Sequence, residues 1–395
     1  PAMTPLLPGP DLPATAQAIE EASLRRHFGA TGAIPLWIAE PYVPPAPAIA
    51  EALADRARLG WYGYETRPES LIEAFADWMS TRHGWADLPP AVVSPSVGTS
   101  LGVLIDLLTE PGDGVVLQPP VFTDFKPLVV AAGRRVVRNP LAFADGRHEL
   151  DLAGLEAVAA EPGTRLLILC NPHNPVGRVW SIEDLAAVAD ICARHDVAVA
   201  ADEIHGDLAL PGRRWTPFAT AAADSGVRWA SIHGPIKTFG LAGVCDTLLL
   251  SPDDAIIEGF SMASSRFHLT RNHVFALAAF ETAYREGGPW LDELLGLVEA
   301  NLTTLREGLP DGVRLVEPEG TYLAWLDLRE LGLEVPRLAA WLAAEAGIAV
   351  SPGHWFGREG AGFARLTVAV PAGWVDAAVD GLRAAVGSLG HRSTP

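Results

Sequence analysis

The 395-residue sequence predicts an α/β protein with a mostly parallel sheet flanked by helices, followed by a smaller α+β domain. Apolar runs such as RLLILC (165–170) and VAVAAD (197–202) alternate with stretches of helical periodicity. Near-continuous apolar strands are typical of parallel sheets that helices cover on both faces. From about residue 286, long helical stretches are interrupted by isolated strand-like runs, which indicates a separate α+β part.

The larger part of the chain contains seven candidate strands. They lie at 92–97, 115–118, 135–138, 166–171, 198–204, 229–233 and 247–250. Candidate helices of the same part lie at 69–83, 101–108, 152–159, 182–194 and 274–285. Ser181, with Asp184 three residues later, has the spacing of a capping box and predicts the start of the helix at 182–194.

The smaller part has helical patterns at 290–309, 337–346 and 374–389, and strand-like runs VRLVEP (313–318), TYLAWLDL (321–328) and FARLTVAV (363–370). Residues 1–30 hold Pro, Gly and Ala without a clear period, which predicts an arm instead of a core element. We therefore expect an N-terminal arm with part of the small domain at 1–44, a large domain at 45–285 and a small C-terminal domain at 286–395.

Charge and cysteine content exclude several kinds of function. The net charge of −19, from 29 basic and 48 acidic residues, repels nucleic acid and anionic membranes, so neither is expected as a partner. Three cysteines without a CxxC pair favour a reducing cytoplasm over a disulfide framework. No basic stretch precedes an apolar run near the start, and no apolar run reaches 18 residues, so we expect neither a signal peptide nor a membrane span.

Two segments each contain one polar residue that is a candidate for a functional role. CNPHNPVG (170–177) joins a buried strand to a helix, and ligands of open α/β sheets bind at the carboxyl ends of strands, so Asn174 is placed to donate to a ligand. SIHGPIKTFGLAG (231–243) surrounds Lys237 with Pro, Gly and apolar residues. A desolvated lysine has a depressed pKa and becomes a nucleophile for carbonyls. The alternatives are a capped proline-rich turn and an ordinary loop lysine.

A third segment, ADEIHGD (201–207), ends another apolar strand. Its clustered acidic residues and histidine could suggest a metal site. Because neighbours on an extended segment point to opposite faces, Asp202, Glu203 and His205 cannot converge on one ion, and no metal is expected. Asp202 is then either a surface cap or a buried anion with a chemical task.

Together the three segments resemble the fold-type I pyridoxal-phosphate (PLP) enzymes of the class I/II aminotransferase group. WYGYE (61–65), WMSTRHGW (78–85) and EGTYLAWLDLR (319–329) are similar to the MalY/PatB-like cystathionine β-lyases, a branch of carbon–sulfur lyases. His205, where ordinary aminotransferases have Tyr, favours the same branch. The resemblance implies the fold-type I transferase fold, PLP as cofactor and an amino acid as substrate.

The resemblance also implies roles at the cofactor ring. Lys237 would hold PLP as a Schiff base and later move the substrate Cα proton. Asp202 would pair with the pyridine nitrogen and keep it protonated, which makes the ring an electron sink. Asn174 and His205 would contact the phenolic oxygen of the ring. Phe122 would stack on the ring, where the family often has a Tyr hydroxyl.

The cofactor phosphate is expected at VGTS (97–100). Gly98 allows close backbone approach, and Thr99 and Ser100 lie at a helix start with free N–H groups. Tyr64 matches a tyrosine that reaches the phosphate of the neighbouring subunit, which implies a homodimer with shared active sites.

The substrate carboxylate is expected at two residues from distant parts of the chain. Arg365 matches the arginine that grips the α-carboxylate in a bidentate fork. The backbone N–H of Ala39 would contact the same group.

Besides Phe122, and Glu40 where the branch usually has Asp, three positions near Lys237 in sequence depart from the family pattern. Gly234 and Ile236 replace hydroxyl residues three and one positions before the lysine, and Cys245 replaces an arginine that aminotransferases carry eight positions after it. We expect a weaker grip on the phosphate, which His233 would partly offset. The missing arginine favours lyase over aminotransferase activity.

The sequence therefore predicts a cytoplasmic PLP-dependent lyase that cleaves an S-substituted cysteine to a thiol, pyruvate and ammonia. The alternatives are an aminotransferase and a decarboxylating or oxidatively deaminating tailoring enzyme of a natural-product pathway. The sequence does not identify the substrate. Specificity is expected in the arm, the partner subunit's loops and residues 264–271, and residues 354–362 are expected to form a mobile loop near Arg365.

Overall fold

The structure of the protein, a computed structural model, describes residues 11–269 and 273–392, with side chains up to residue 389. Within these ranges the helices are α1 (Glu21–Phe28), α2 (Pro47–Arg58), α3 (Ser70–Trp78), α4 (Val97–Leu108), α5 (Phe125–Ala131), α6 (Leu152–Ala159), α7 (Ile182–Arg194), α8 (Phe218–Ala222), α9 (Pro235–Thr238), α10 (Asp254–Phe267), α11 (Val274–Glu286), α12 (Gly288–Gly308), α13 (Leu338–Glu345) and α14 (Ala372–Arg392). The strands in the same ranges are β1 (Ile34–Pro35), β2 (Ala91–Ser94), β3 (Gly114–Leu117), β4 (Arg135–Arg138), β5 (Ala142–Ala144), β6 (Arg147–Glu149), β7 (Thr164–Cys170), β8 (Ala198–Asp202), β9 (Trp229–His233), β10 (Thr247–Leu250), β11 (Arg314–Val316), β12 (Leu323–Asp327), β13 (Ile348–Ala349), β14 (Ser351–Pro352) and β15 (Phe363–Thr367).

The large sheet of the described chain has seven strands in the order β2-β10-β9-β8-β7-β3-β4. Neighbours from β9 to β4 pair in parallel, and β10 is antiparallel to both β9 and β2. Strands β3, β8, β9 and β10 are buried throughout, because apolar clusters cover both faces of the sheet. The predicted α/β fold with a mostly parallel seven-stranded sheet is confirmed.

A smaller α+β part follows, as the sequence predicts. Its antiparallel sheet has the order β11-β12-β15-β14, and α12 and α13 both pack against α14. Arg365 lies in the middle of β15, opposite Trp325 of β12 and Ser351 of β14. The interior sheet position fixes the backbone of Arg365 from both sides.

The N-terminal segment differs from the predicted arm. Residues 1–10 lie outside the described residues, but Glu21–Phe28 forms a helix that buries Leu24 and Phe28 and packs against α13. The carboxylate of Glu20 caps this helix by accepting from two backbone N–H groups. An eight-residue helix shows too few turns for a clear period, and packing supplies the stability that such a short helix lacks alone.

The predicted end of β2 was wrong, whereas the helix predicted at 69–83 ends where expected but changes its helical type. Strand β2 ends at Ser94 instead of 97, because Ser96 already caps α4. The predicted helix at 69–83 is α-helical to Trp78 and continues as a π-helical turn, Met79–His83. The expected mobile loop at 354–362 folds into two 3₁₀ turns that bury Phe356.

Chain topology brings three loops to one edge of the large sheet. β7 and β8 pair in parallel with Cys170 opposite Asp202, and β9 follows β8 in the same direction. The loops after these strands carry Asn174, His205 and Lys237. Within the described ranges, no helix combines the length and the apolar composition needed to cross a membrane.

Candidate active site

Lys237 lies in α9, which begins one residue after β9 ends. Its Nζ donates to the carbonyl oxygen of Ala39 at 2.8 Å, so the N-terminal segment and the large sheet meet at this amine. Burial lowers the pKa of Lys237, and the positive charge of Arg365 lowers it further, while Glu40 and Asp202 act in the opposite direction. A lysine of lowered pKa is available as a neutral amine, as a carbonyl nucleophile requires.

Asp202 is the last residue of β8 and is 5% exposed. Its Oδ1 accepts from the Ile204 N–H at 3.3 Å, and none of the described cations forms an ion pair with it. Burial raises the pKa of Asp202 to about 6, although the Ile204 bond and Lys237 lower it. A buried carboxylate with such weak compensation is suited to a cationic ligand group.

Arg365 is buried and surrounded by neutral acceptors. Nη1 donates to Asn174 Oδ1 at 3.0 Å, and Nη2 donates to the carbonyl oxygen of Trp37 at 2.7 Å and to Ser351 Oγ at 3.2 Å. The guanidinium lies 4.8 Å from the ring centre of Phe356. Burial lowers the pKa of Arg365 to about 10. No described carboxylate pairs with this cation, and its Nε has no partner among the described residues, so the site is suited to an anion.

Asn174 and His205 complete the polar edge of the site. Asn174 Oδ1 accepts from Arg365, which leaves its Nδ2 amide as the donor. His205 is buried with an unpartnered Nδ1 among the described atoms, and burial lowers its pKa well below the usual value. Its ring meets the edge of Tyr322 at 6.1 Å. A neutral imidazole with an unused nitrogen can donate to or accept from a ligand oxygen.

The start of α4 provides the predicted phosphate position. Ser96 caps the helix: its Oγ accepts from the Thr99 N–H at 3.1 Å and lies 3.0 Å from Thr99 Oγ1. Above Gly98 there is room, since a Cβ there would meet nothing nearer than Ser96 Oγ at 3.9 Å. Ser100 is fully buried and its Oγ has no partner among the described residues. An open helix start with an unpartnered hydroxyl is suited to an anion.

Phe122 and Tyr64 differ in their surroundings. Phe122 is half-buried, packs against Phe125 at 5.5 Å between ring centres, and follows Val121, whose N–H donates to the backbone carbonyl oxygen of Phe356 at 3.0 Å. Tyr64 is 85% exposed, so this chain alone does not enclose it in the site. The carbonyl oxygen of Ala39 accepts hydrogen bonds from Lys237 Nζ and from the Tyr322 hydroxyl. The sequence instead predicts a role for the N–H of Ala39.

One altered position near Lys237, Gly234, has a packing explanation. A Cβ at Gly234 would lie 3.2 Å from the Cα of Thr247 and 3.3 Å from the carbonyl oxygen of Asp246, so a larger side chain requires a shift of β10. His233 does not offset the loss. It bonds Ser231 Oγ at 2.9 Å and lies 3.5 Å from Glu203, and burial lowers its pKa to about 3.

Sequence patterns missed four contributors to this site. Ser96 had a usable signal, since a serine directly before a helix is a common cap. Tyr322, Ser351 and the Trp37 carbonyl had none, because each reaches the site from a distant segment. Among the described residues, no group of three His, Cys, Asp or Glu side chains could hold a metal ion.

Comparisons with known proteins cover nearly the whole chain. The family model for aminotransferase class I and II matches residues 32–382. The chain is 40% identical over 344 residues to cystathionine beta-lyase PatB of Bacillus subtilis (strain 168), covering 86% of this chain and 89% of PatB. It is 33% identical to protein MalY of Escherichia coli (strain K12), over 90% and 92% of the two chains. Cystalysin from Treponema denticola, whose crystal structure contains PLP, is 26% identical with a TM-score of 0.88, covering 96% of this chain and 98% of cystalysin.

Proposed function

Because the chain belongs to the class I and II aminotransferase family, we propose that it is a PLP-dependent carbon–sulfur β-lyase. It cleaves the Cβ–S bond of an S-substituted cysteine, and with one water the products are a thiol, pyruvate and ammonia. The observation that carries this proposal is the presence of three buried groups at one site: the amine of Lys237, the carboxylate of Asp202, and the guanidinium of Arg365, which pairs with none of the described carboxylates. The similarity to a cystathionine β-lyase over most of both chains supports the same reaction.

The unpartnered groups of the site fit the cofactor PLP. Asp202 would hold the ring nitrogen, and Asn174 and His205 the phenolic oxygen. The helix start at Gly98, with the buried hydroxyl of Ser100, would take the phosphate. PLP, when bound, withdraws electrons from the bonds at the substrate Cα.

Lys237 and Arg365 act on the substrate from two sides. We assign Lys237 Nζ the removal of the Cα proton, because its lowered pKa keeps a fraction of the amine neutral. Arg365 holds the α-carboxylate, and its neutral acceptors Asn174, Ser351 and the Trp37 carbonyl orient the fork without neutralising its charge. The carboxylate then fixes which Cα bond faces Lys237.

Aminotransferase activity is the second candidate, since the same residues would serve it. The position of the aminotransferase arginine is occupied by Cys245, which is buried and whose pKa burial raises. A neutral thiol cannot replace a guanidinium at a phosphate, and this difference supports the lyase proposal.

Product analysis separates the two reactions. Purified protein with added PLP is incubated with S-substituted cysteines, and pyruvate and free thiol are measured against amino-group transfer to a keto acid. We expect pyruvate and thiol in equal amounts. Amino transfer without release of pyruvate would overturn the lyase assignment.

Trapping locates the cofactor on the chain. Borohydride reduction of the holoenzyme fixes PLP on the residue that carries it, and peptide mass mapping identifies that residue. We expect Lys237 in the wild-type protein and no label in Lys237→Ala. A label on Lys126, the other lysine of the chain, would contradict the assignment.

We also propose a homodimer with shared active sites, in which Tyr64 reaches the phosphate site of the second copy. Tyr64 is 85% exposed, and the neighbouring Trp61 and Tyr62 are 51% and 57% exposed. The ring of Tyr62 stacks on the ring of Phe275 at 5.8 Å between centres. In the helix that precedes Phe275 in sequence, Met262 and Phe267 are 73% and 60% exposed. Large exposed apolar groups of this kind favour a protein interface.

Three buried free thiols, Cys170, Cys192 and Cys245, support a reducing, cytoplasmic location.

A further inference from the structure

A buried hydrogen-bond network surrounds Asp207, a residue with no role in the site described above. Asp207 lies in the 3₁₀ turn Gly206–Leu208 and is 6% exposed. Its Oδ1 accepts from Trp78 Nε1 and from His83 Nε2, both at 2.7 Å. Its Oδ2 accepts from Thr238 Oγ1 at 2.9 Å. One carboxylate therefore joins the end of α3, the π-helical turn after it and α9.

Thr238 directly follows Lys237 in α9, and its side chain is fully buried. This helix has four residues, with closing backbone bonds from Phe239 to Pro235 at 2.9 Å and from Leu241 to Ile236 at 3.0 Å. A single helical turn does not hold its own geometry in isolation. The bond from Thr238 to Asp207 is therefore a main polar restraint on the backbone that carries Lys237.

The segment from Asp202 to Asp207 is itself closely held. The Gly206 N–H donates to the Glu203 carbonyl and the Leu208 N–H to the His205 carbonyl, both at 2.9 Å. Gly206 packs against Trp215, where an added Cβ would come within 3.0 Å of the indole ring. The position of Asp207 relative to Asp202 is therefore fixed. The bond from Thr238 to Asp207 in turn holds α9 in a defined position relative to Asp202.

Asp207 is a charged anchor. Burial alone raises the pKa of Asp207, but the bonds and charge from His83, with the bonds from Trp78 and Thr238, outweigh burial and hold its pKa below the usual range. Hydrogen bonds to an ionised carboxylate are shorter and stronger than those between neutral groups. The direction is opposite to that of Asp202, whose pKa is raised, because Asp207 accepts from three side chains and Asp202 from one backbone N–H.

We propose that Asp207 is a positioning residue for Lys237: through the Thr238 hydroxyl it fixes α9 and sets the place of the Lys237 amine relative to Asp202. This inference rests on the proposed function, in which Lys237 holds the cofactor. A displacement of about 1 Å at a reacting group can lower a rate by about 100-fold, so a restraint one residue from the reacting amine affects the chemical step.

The test compares Thr238→Val, which removes the hydroxyl and keeps the shape, with Thr238→Ser, which keeps the hydroxyl. Holoenzymes are compared for kcat, KM and the pH dependence of the visible absorbance of the lysine-bound cofactor. We expect Thr238→Val to lower kcat about 10-fold or more with KM nearly unchanged. Its absorbance transition moves by about half a pH unit, a threefold change in proton affinity at the lysine nitrogen. Thr238→Ser restores both properties.

A matched control is Thr109→Val, which removes a buried threonine hydroxyl bonded to Arg134 Nε at 2.9 Å, at the far end of α4. This variant lowers stability and leaves kcat and the absorbance transition unchanged. If Thr238→Val does not fold, Thr238→Ala is used, since it leaves room for water at Asp207 and carries the same expectation.

Two results overturn the inference. One is equal kcat for the Val and Ser variants; the other is an absorbance transition that stays at the wild-type pH in Thr238→Val or Thr238→Ala. Either result limits Asp207 to stabilising the fold. Failure of the proposed function is separate, because wild-type protein would then show no visible cofactor band with added PLP.

Discussion

At the scale of single residues, Arg365 is buried and has no anionic partner among the residues that the structure describes. Burial lowers its pKa to about 10, so the guanidinium stays charged at neutral pH and can bind an anion. Arg365→Lys keeps the charge but loses the planar fork that binds a carboxylate with two parallel bonds. We expect kcat/KM for an S-substituted cysteine to fall about 100-fold, or about 3 kcal/mol of transition-state stabilisation.

A half-buried arginine outside the site, Arg134, provides the control for this measurement. At the C-terminal end of α4, Arg134 Nε donates to Thr109 Oγ1 at 2.9 Å and Arg134 Nη2 donates to the Thr109 carbonyl oxygen at 2.8 Å. Arg134→Lys loses a similar fork and should lower stability without changing kcat/KM. If both variants change kcat/KM equally, Arg365 has no specific role in substrate binding.

Asp202 predicts a pH-dependent stability of the cofactor-free protein. Its folded pKa is about 6 against an ordinary value of 3.8, so protonation favours the folded state. The contribution of Asp202 to the free energy of unfolding is fully present below about pH 4, and it is lost as the pH rises through about 6. The difference of about two pKa units corresponds to about 3 kcal/mol.

The variant Asp202→Asn removes this titration. In urea unfolding it should be about 3 kcal/mol more stable than the wild-type protein at pH 8 and equally stable near pH 4, while its lyase activity is lost. A stability difference for Asp202→Asn that is the same at both pH values would contradict the assigned burial of the charge.

At the scale of elements, two capped helices differ in what lies at their N-terminus. Ser96 caps α4 at the expected phosphate position, and Ser181 caps α7 through a capping box with Asp184. Loss of either cap should lower the free energy of unfolding by about 1 kcal/mol. We expect only Ser96→Ala to weaken PLP binding, because its missing bond loosens the first turn of α4.

Equilibrium titration of the two cofactor-free variants with PLP checks this difference. Ser181→Ala serves as the matched control for the loss of a cap. Equal PLP dissociation constants for Ser96→Ala, Ser181→Ala and the wild-type protein would show that the start of α4 does not hold the phosphate.

The same two helices show what local patterns can predict. The bounds of α7 match the predicted 182–194, because its capping box and apolar period lie within one segment. The predicted start of α4 at residue 101 was four residues late. Its first turn, Val97–Ser100, includes a glycine and two hydroxyl residues, and such residues mark a loop as readily as a helix start.

At the scale of the whole molecule, the proposed dimer would cover exposed aromatic and apolar side chains, among them Tyr64 and Met262. Met262→Glu introduces a charge at a residue that is 73% exposed in the single chain. We expect sedimentation equilibrium to give a monomer with activity lowered in parallel, because Tyr64 then cannot reach the second copy. Ile182→Glu, at the start of α7 and 43% exposed, should remain dimeric and active. A dimeric, fully active Met262→Glu would remove the support for this interface.

The domain division at residues 44 and 285 stays a prediction. Pairing of β1 with β13 and packing of α1 against α13 place part of the N-terminal segment against the C-terminal part. That contact supports the assignment of residues 1–44 to the arm and the small domain together. It also explains why Ala39 and Trp37 can reach Lys237 and Arg365, which lie about 200 or more residues away in sequence.

Local patterns of the sequence determined the sheet, and the resemblance of its motifs to a known family implied the cofactor class and the candidate residues Lys237, Asp202, Asn174 and Arg365. These properties are carried by local patterns: apolar runs, turn residues and short motifs within one segment. Only the tertiary structure decided the contacts among distant segments. The Ala39 carbonyl at Lys237, the neutral acceptors around Arg365 and the anchoring of Thr238 by Asp207 all join residues from different segments. Such contacts depend on how strands and helices pack in three dimensions, and the periodicity of apolar residues within one segment does not predict that packing.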